Sequence, residues 1–167
     1  VIAAAGVGWD SLLLLPGLVA AGAGMLFGIN AFCLDGTGAT WLATLPHDPQ
    51  VTFWARTQIT VEVCAATVLA AVVAAALRAP TPTRTDLVCF VAAVTVGVLR
   101  VSATCMHLSV TRPHRAQLLG PRDAPAPPGA MAVYSIRLAS TAALTGLVFT
   151  VIAQLDSMPL ALGVATG

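Results

Sequence analysis

Glu62, Arg100 and Arg137 lie inside stretches that are otherwise apolar enough to span a bilayer, and they are the first candidates for chemistry in this chain. A charge in hydrocarbon costs on the order of 2.5–3.5 kcal/mol on insertion scales, so it tends to mark a pathway, a relay or an interior ion pair. The opposed signs allow the three to neutralise one another, which predicts inward-facing positions. Two readings stay open. One is a structural ion pair that fixes helix register, with Glu62 snorkelling toward the headgroups. The other is the lining of a route for a polar or anionic substrate. A proton relay has only one intramembrane carboxylate to work with. His107 is of a type that titrates near neutrality, but a single His at a helix end reads first as an interface residue. Haem ligation needs a second intramembrane His, and His47 and His114 both fall in connections. No cofactor and no metal site is therefore expected.

The composition narrows the class. The 167 residues are 57% hydrophobic and 9% charged, with mean hydropathy +0.89. A soluble domain carries about 25% charged residues, so this is the composition of a bilayer protein. The formal net charge is +1, with every basic residue an Arg, which leaves no footprint for nucleic acid. Without Lys there is no Walker A lysine and no Schiff-base chemistry. Any ATP-driven step would need its ATPase on another chain, and this chain is not expected to be an enzyme. Cys33, Cys64, Cys89 and Cys105 show no CxxC spacing, so they read as buried, inert thiols. The chain starts at Val1 with no basic n-region, from which we expect no signal peptide and a piece of a longer protein.

Positioning these residues is the task of an all-α, polytopic transmembrane helix bundle, a single domain over residues 1–167. Spanning the hydrocarbon takes about 20 apolar residues, and four stretches qualify: about 11–32, 58–77, 87–108 and 130–153. Gly17, Ala21, Gly24 and Gly28 form a small-residue stripe on the first, which permits close helix approach. Between the first two spans, residues 39–45 predict a short interfacial helix carrying Trp41, Leu42 and Leu45, broken by Pro46 and Pro49. Phe53 and Trp54 then return the chain to the bilayer surface as an aromatic belt. The tail after Asp156 is apolar and interrupted by Pro159.

The first and third connections hold Arg56, Arg112, Arg115 and Arg122, and the second holds Arg78 and Arg84. By the positive-inside rule, loops 33–57 and 109–129 are cytoplasmic and both ends face outside. Glu62, Arg137 and Arg100 then lie roughly 6, 10 and 12 Å inside the same leaflet, which makes pairing possible. Ala93, Gly97, Arg100, Thr104 and His107 repeat at helical spacing, as do Tyr134, Arg137, Thr141 and Thr145, so Thr104 and Tyr134 join the candidate lining.

The most specific text is in the first connection: Asn30-Ala-Phe-Cys-Leu-Asp35-Gly36-Thr-Gly38, then Trp41-Leu-Ala-Thr-Leu45-Pro46, then Phe53-Trp-Ala-Arg56. This resembles the membrane (permease) subunit of a type-2 ABC exporter. Cys33 stands where that family commonly has Gly, and His47-Asp48-Pro49-Gln50 replaces a basic stretch. The resemblance implies a bacterial inner-membrane protein whose cytoplasmic coupling segment (Asp35, Gly36, Gly38, Trp41, Leu45, Pro46 and Arg56) touches a separate ABC ATPase. It also implies a second permease half, or the remainder of the same chain, because six helices per half are expected. Local physics agrees with such a segment. Asp35-Gly36 is a turn pair, Gly38 permits a bend, and residues 39–45 can offer one apolar face to a groove. On spacing alone, a helix that merely anchors the loop is the alternative. Two rivals come from other classes: a membrane-embedded redox or enzyme subunit holding a headgroup or quinone with His107, Arg100 and Tyr134, and a structural assembly subunit.

Overall fold

The computed structural model describes residues 8–33, 38–46, 48–77, 79–114 and 126–166. Their regular structure is entirely helical: α1 (Trp9–Ala23), α2 (Gly38–Thr44), α3 (Pro49–Ala76), α4 (Arg84–Thr111), α5 (Pro128–Gln154) and α6 (Met158–Thr166). Four segments are long and apolar enough to cross a membrane, namely Ser11–Gly28, Pro49–Ala76, Arg84–Thr111 and Pro128–Gln154. The protein is an all-α bundle of membrane-spanning type.

The spans lie where hydropathy predicts, but their ends are set by capping. α3 starts at Pro49, well before residue 58, because Asp48 is its N-cap and accepts a hydrogen bond from the Gln50 amide at 2.8 Å. Proline at the first helical position is pre-organised for this role. The short helix ends before Pro46, as expected, while Pro49 itself begins the next helix, so that Phe53, Trp54 and Arg56 become helical. α4 starts with a capping box: Asp86 N–H donates to Thr83 Oγ1 at 3.1 Å, and Thr83 N–H donates to the Asp86 carboxylate at 3.0 Å. The first span stops short of residue 32. It ends in a π-helical turn, Gly24–Gly28, with Ile29 N–H reaching the Gly24 carbonyl at 3.1 Å.

After α5 the chain reverses through Asp156 at φ 48. Asp156 N–H bonds the Ala153 carbonyl at 3.0 Å and Ser157 N–H the Ile152 carbonyl at 3.4 Å, the bond pair of a Schellman motif. Pro159 then falls at the second residue of α6, where its missing N–H costs no helical bond.

α1 packs against α3, α4 and α5, and α4 against α1, α3, α5 and α6. Contact between α3 and α5 is slight at most among the described residues. The small-residue stripe makes this closeness possible. A Cβ on Gly17 would stand 3.0 Å from the Ala142 carbonyl oxygen, and one on Gly28 would stand 2.8 Å from Cys105 Cβ. Gly146 returns the favour from α5, where a Cβ would come within 3.0 Å of Leu14 Cα. Backbones approach this closely only where side chains are missing.

One end of the bundle gathers the end of α1, the start of α3, the end of α4 and the start of α5. The other is closed by Trp9 Nε1 donating to the Pro80 carbonyl at 2.9 Å and by the Thr85 hydroxyl donating to the Asp156 carboxylate.

Candidate functional site

The first candidate is the junction around α2. Asn30 is 1% exposed, yet its amide is fully occupied: it donates to the His114 carbonyl and accepts the His114 N–H at 3.2 Å. A primary amide can meet a backbone group with a donor and an acceptor at once, so Asn30 clamps the end of α1 to the segment just past α4. Phe32 N–H donates to Ser109 Oγ at 3.2 Å. Buried Tyr134 donates to the Arg112 carbonyl at 3.2 Å, and its oxygen lies 3.3 Å from His114 Nδ1, which brings α5 into the same knot.

α3 is tied in by Arg56. Its guanidinium donates to the Ala31 carbonyl and lies 5.3 Å from the centroid of the Phe32 ring. Phe32 stacks on Phe53 at 6.1 Å, and Phe53 meets Trp54 edge-on at 5.5 Å. Arg56 is thus a brace between α1 and α3, where the sequence put it at the point of return to the bilayer.

From this braced base α2 stands out. Trp41 is 67% exposed and Leu45 39%, and Gly38 and Pro46 flank them on exposed backbone. Thr44 Oγ1 closes the short helix on the Trp41 carbonyl at 2.7 Å. The turn pair Asp35-Gly36 lies outside the described residues.

The second candidate is the set of intramembrane charges, and here the inward-facing expectation is corrected. Glu62, Arg100 and Arg137 all lie on exposed faces. Glu62 accepts a hydrogen bond from Gln58 Nε2, one turn earlier, at 2.8 Å. With so little contact between α3 and α5, no packed face brings Glu62 and Arg137 together. The reason lies in how the interior is filled. Gly97, Val101, Cys105 and Leu108 take the inner face of α4, and Leu138, Ala142, Thr145 and Phe149 that of α5. Of the ladder on α4, Ala93 and Gly97 are buried, Thr104 is half-buried, and Arg100 and His107 are exposed.

The structure nonetheless brings several candidates together. Arg100 lines a groove with Val96, Leu99, Val148 and Phe149, closed on one side by Val164 and Ala165 of α6. The adjoining groove between α4 and α5 is lined by Thr104, His107, Arg137, Ser140 and Thr141. Arg100, Thr104 and Arg137 thus share one seam, Glu62 stands apart on α3, and Tyr134 is buried at the junction. The trio His107, Arg100 and Tyr134 does not meet. Among the described residues, no three His, Cys, Asp or Glu side chains gather as metal ligands.

Sequence reasoning missed Asn30 and His114 as partners. The available signal was an amide at the end of an apolar helix, where a polar side chain must find a bond. No protein-family model matches the chain, and neither a curated protein nor a solved structure does.

Proposed function

We propose that this chain is a permease component of an ATP-driven ABC exporter of the type-2 kind, and that α2 is where a separate cytoplasmic ATPase engages it. The observation that carries the reading is Trp41, 67% exposed on the short helix α2, which lies in sequence between the braced residues Phe32 and Arg56. A tryptophan left exposed on so short a helix is poorly explained as loop filling. It suits an interface anchor, because buried aromatics carry a large share of interface energy.

The supports give α2 mechanical leverage. In sequence α2 is followed by Asp48 and Pro49 at the start of α3, and α3 is tied to the end of the first span through Arg56, Phe32 and Phe53. α1 in turn packs on α3, α4 and α5, so displacement of α2 is delivered as rigid-body tilt of the bundle. The chain carries no Lys of its own for nucleotide phosphates, which fits ATP hydrolysis on a partner. Under this reading loops 33–57 and 109–129 face the cytoplasm of a bacterial inner membrane, and a second half or further helices complete the permease.

The test is co-purification of the full-length permease with the ATPase encoded beside it. Trp41→Ala is expected to cut ATPase recovery about thirtyfold, the equivalent of roughly 2 kcal/mol for an interface anchor, with thermal stability unchanged. Arg56→Gln is expected to leave docking intact while weakening transport-coupled ATPase stimulation. Unchanged recovery and stimulation in Trp41→Ala would overturn the reading.

A further inference from the structure

The seam between α4 and α5 has a chemistry that the coupling role of α2 does not use. Arg100 and Arg137 lie roughly 15 Å from the α2-side ends of their helices, deep enough to sit within the hydrocarbon of one leaflet. Both guanidiniums are exposed, and neither has a side-chain partner among the described residues. Two unpaired arginines in hydrocarbon call for a counter-charge. Among the described residues no carboxylate lines either groove.

The donors are arranged for one class of anion. Thr104 and Thr141 give their hydroxyl hydrogens to the carbonyls of Arg100 and Arg137, at 2.8 and 2.9 Å. That leaves the two guanidinium forks, the His107 ring and the Ser140 hydroxyl free to donate. Forked guanidiniums with added hydroxyl donors match the tetrahedral oxygens of phosphate.

The adjoining groove changes character within one turn. Beyond Arg100 its walls are Val96, Leu99, Val148 and Phe149, ending at Val164 and Ala165 of α6. The cationic groove has a volume of about 560 Å³ and the apolar one about 320 Å³, within the range of small-ligand sites. The two grooves follow one another along the same faces of α4 and α5, with Arg100 on the apolar one and Arg137 and His107 on the other. A cationic stretch in line with an apolar one suits a molecule with a charged head and a hydrocarbon chain.

We propose that the α4–α5 seam is a seat for a phosphate-bearing amphiphile. Its phosphate lies at Arg100, Arg137 and His107, and its acyl chain lies along Val96, Leu99 and Val148 toward α6. The seat stands on the seam alone and does not depend on α2 docking an ATPase.

The experiment is native mass spectrometry of the chain in neutral detergent. The probes are a single-chain phosphatidic acid, the matching phosphocholine lipid, glycerol 3-phosphate and inorganic phosphate. The phosphatidic acid is expected to bind at least tenfold tighter than the phosphocholine lipid. Arg100→Gln with Arg137→Gln should abolish that preference, and Arg84→Gln, outside the seam, should keep it. Leu99→Trp fills the apolar arm with both arginines in place, so it should weaken the amphiphile and spare glycerol 3-phosphate. It also carries the test if the double variant fails to fold. An unaltered preference in the double variant, or unaltered amphiphile binding in Leu99→Trp, would overturn the proposal. So would inorganic phosphate competing as well as the amphiphile, which would mean a seat for free phosphate. A dimer that dissociates in the double variant without change in lipid binding would reassign the seam to a second copy of this chain.

Discussion

Truncating Asn30 to Ala would remove the partner of both backbone groups of half-buried His114. A buried polar group left unsatisfied costs about 1–3 kcal/mol, so Asn30→Ala is expected to lower stability by about that amount. Tyr134→Phe keeps the buried ring and removes only the hydroxyl that reaches Arg112 and His114, so its loss should be nearer 1 kcal/mol. Reversible unfolding in mixed micelles measures both, and equal stability of Asn30→Ala and the parent would exclude the amide as the clamp. At this scale the sequence was only partly readable. That Glu62, Arg100 and Arg137 fall within spans was plain from composition. Which way they point was not, because the inner face of an apolar helix is decided by the neighbours that claim it. The contacts of Arg56 were hidden for a related reason: its partners are a carbonyl and a ring at the end of the first span, and no local pattern reports them.

Among the elements, α1 and α5 meet along glycines whose absent side chains can be tested one at a time. A Cβ on Gly146 would lie 2.7 Å from Leu14 Cδ2 and 3.0 Å from Leu14 Cα, whereas one on Gly22 meets nothing within 4 Å. Overpacking of this kind costs about 1–3 kcal/mol, so Gly146→Ala should destabilise the bundle by that amount. Gly22→Ala should be neutral or stabilise by about 0.5–1 kcal/mol, the helical advantage of Ala over Gly. The difference between the two in one unfolding series isolates packing from propensity. The stripe Gly17, Ala21, Gly24 and Gly28 was legible as a small-residue face, and its contacts bear that out. The helix ends were less legible. Asp48-Pro49 and Thr83 with Asp86 are start signals, but beside an apolar run of this length hydropathy alone draws the boundary too far in. The reversal at Asp156 uses a residue other than Gly in the left-handed region, so the usual marker of a helix end is missing.

For the whole molecule, the contacts require the first and third connections to share one end of the bundle and the second to lie at the other. Single cysteines at Thr44 and Pro113, in a cysteine-free background, should therefore respond alike to a membrane-impermeant thiol reagent, and one at Thr83 oppositely. On the topology proposed above, Thr83 is expected to label in intact cells and the other two are not. Discordant labelling of Thr44 and Pro113 would break the arrangement of helices itself. The number of spans and their pairing into one bundle were legible in the sequence, because apolar length is a local property. The position of α1 among α3, α4 and α5 was not, because it depends on contacts made across most of the chain. That position has a consequence for biogenesis. α1 leaves the ribosome before every helix it packs against, and at ~5–20 residues per second the stretch from Gly17 to Ala142 takes on the order of ten seconds to synthesise. Of its partners in the bundle, α3 is therefore the first that α1 can meet and α5 the last, so the contact of Gly17 with Ala142 closes only after the others are available.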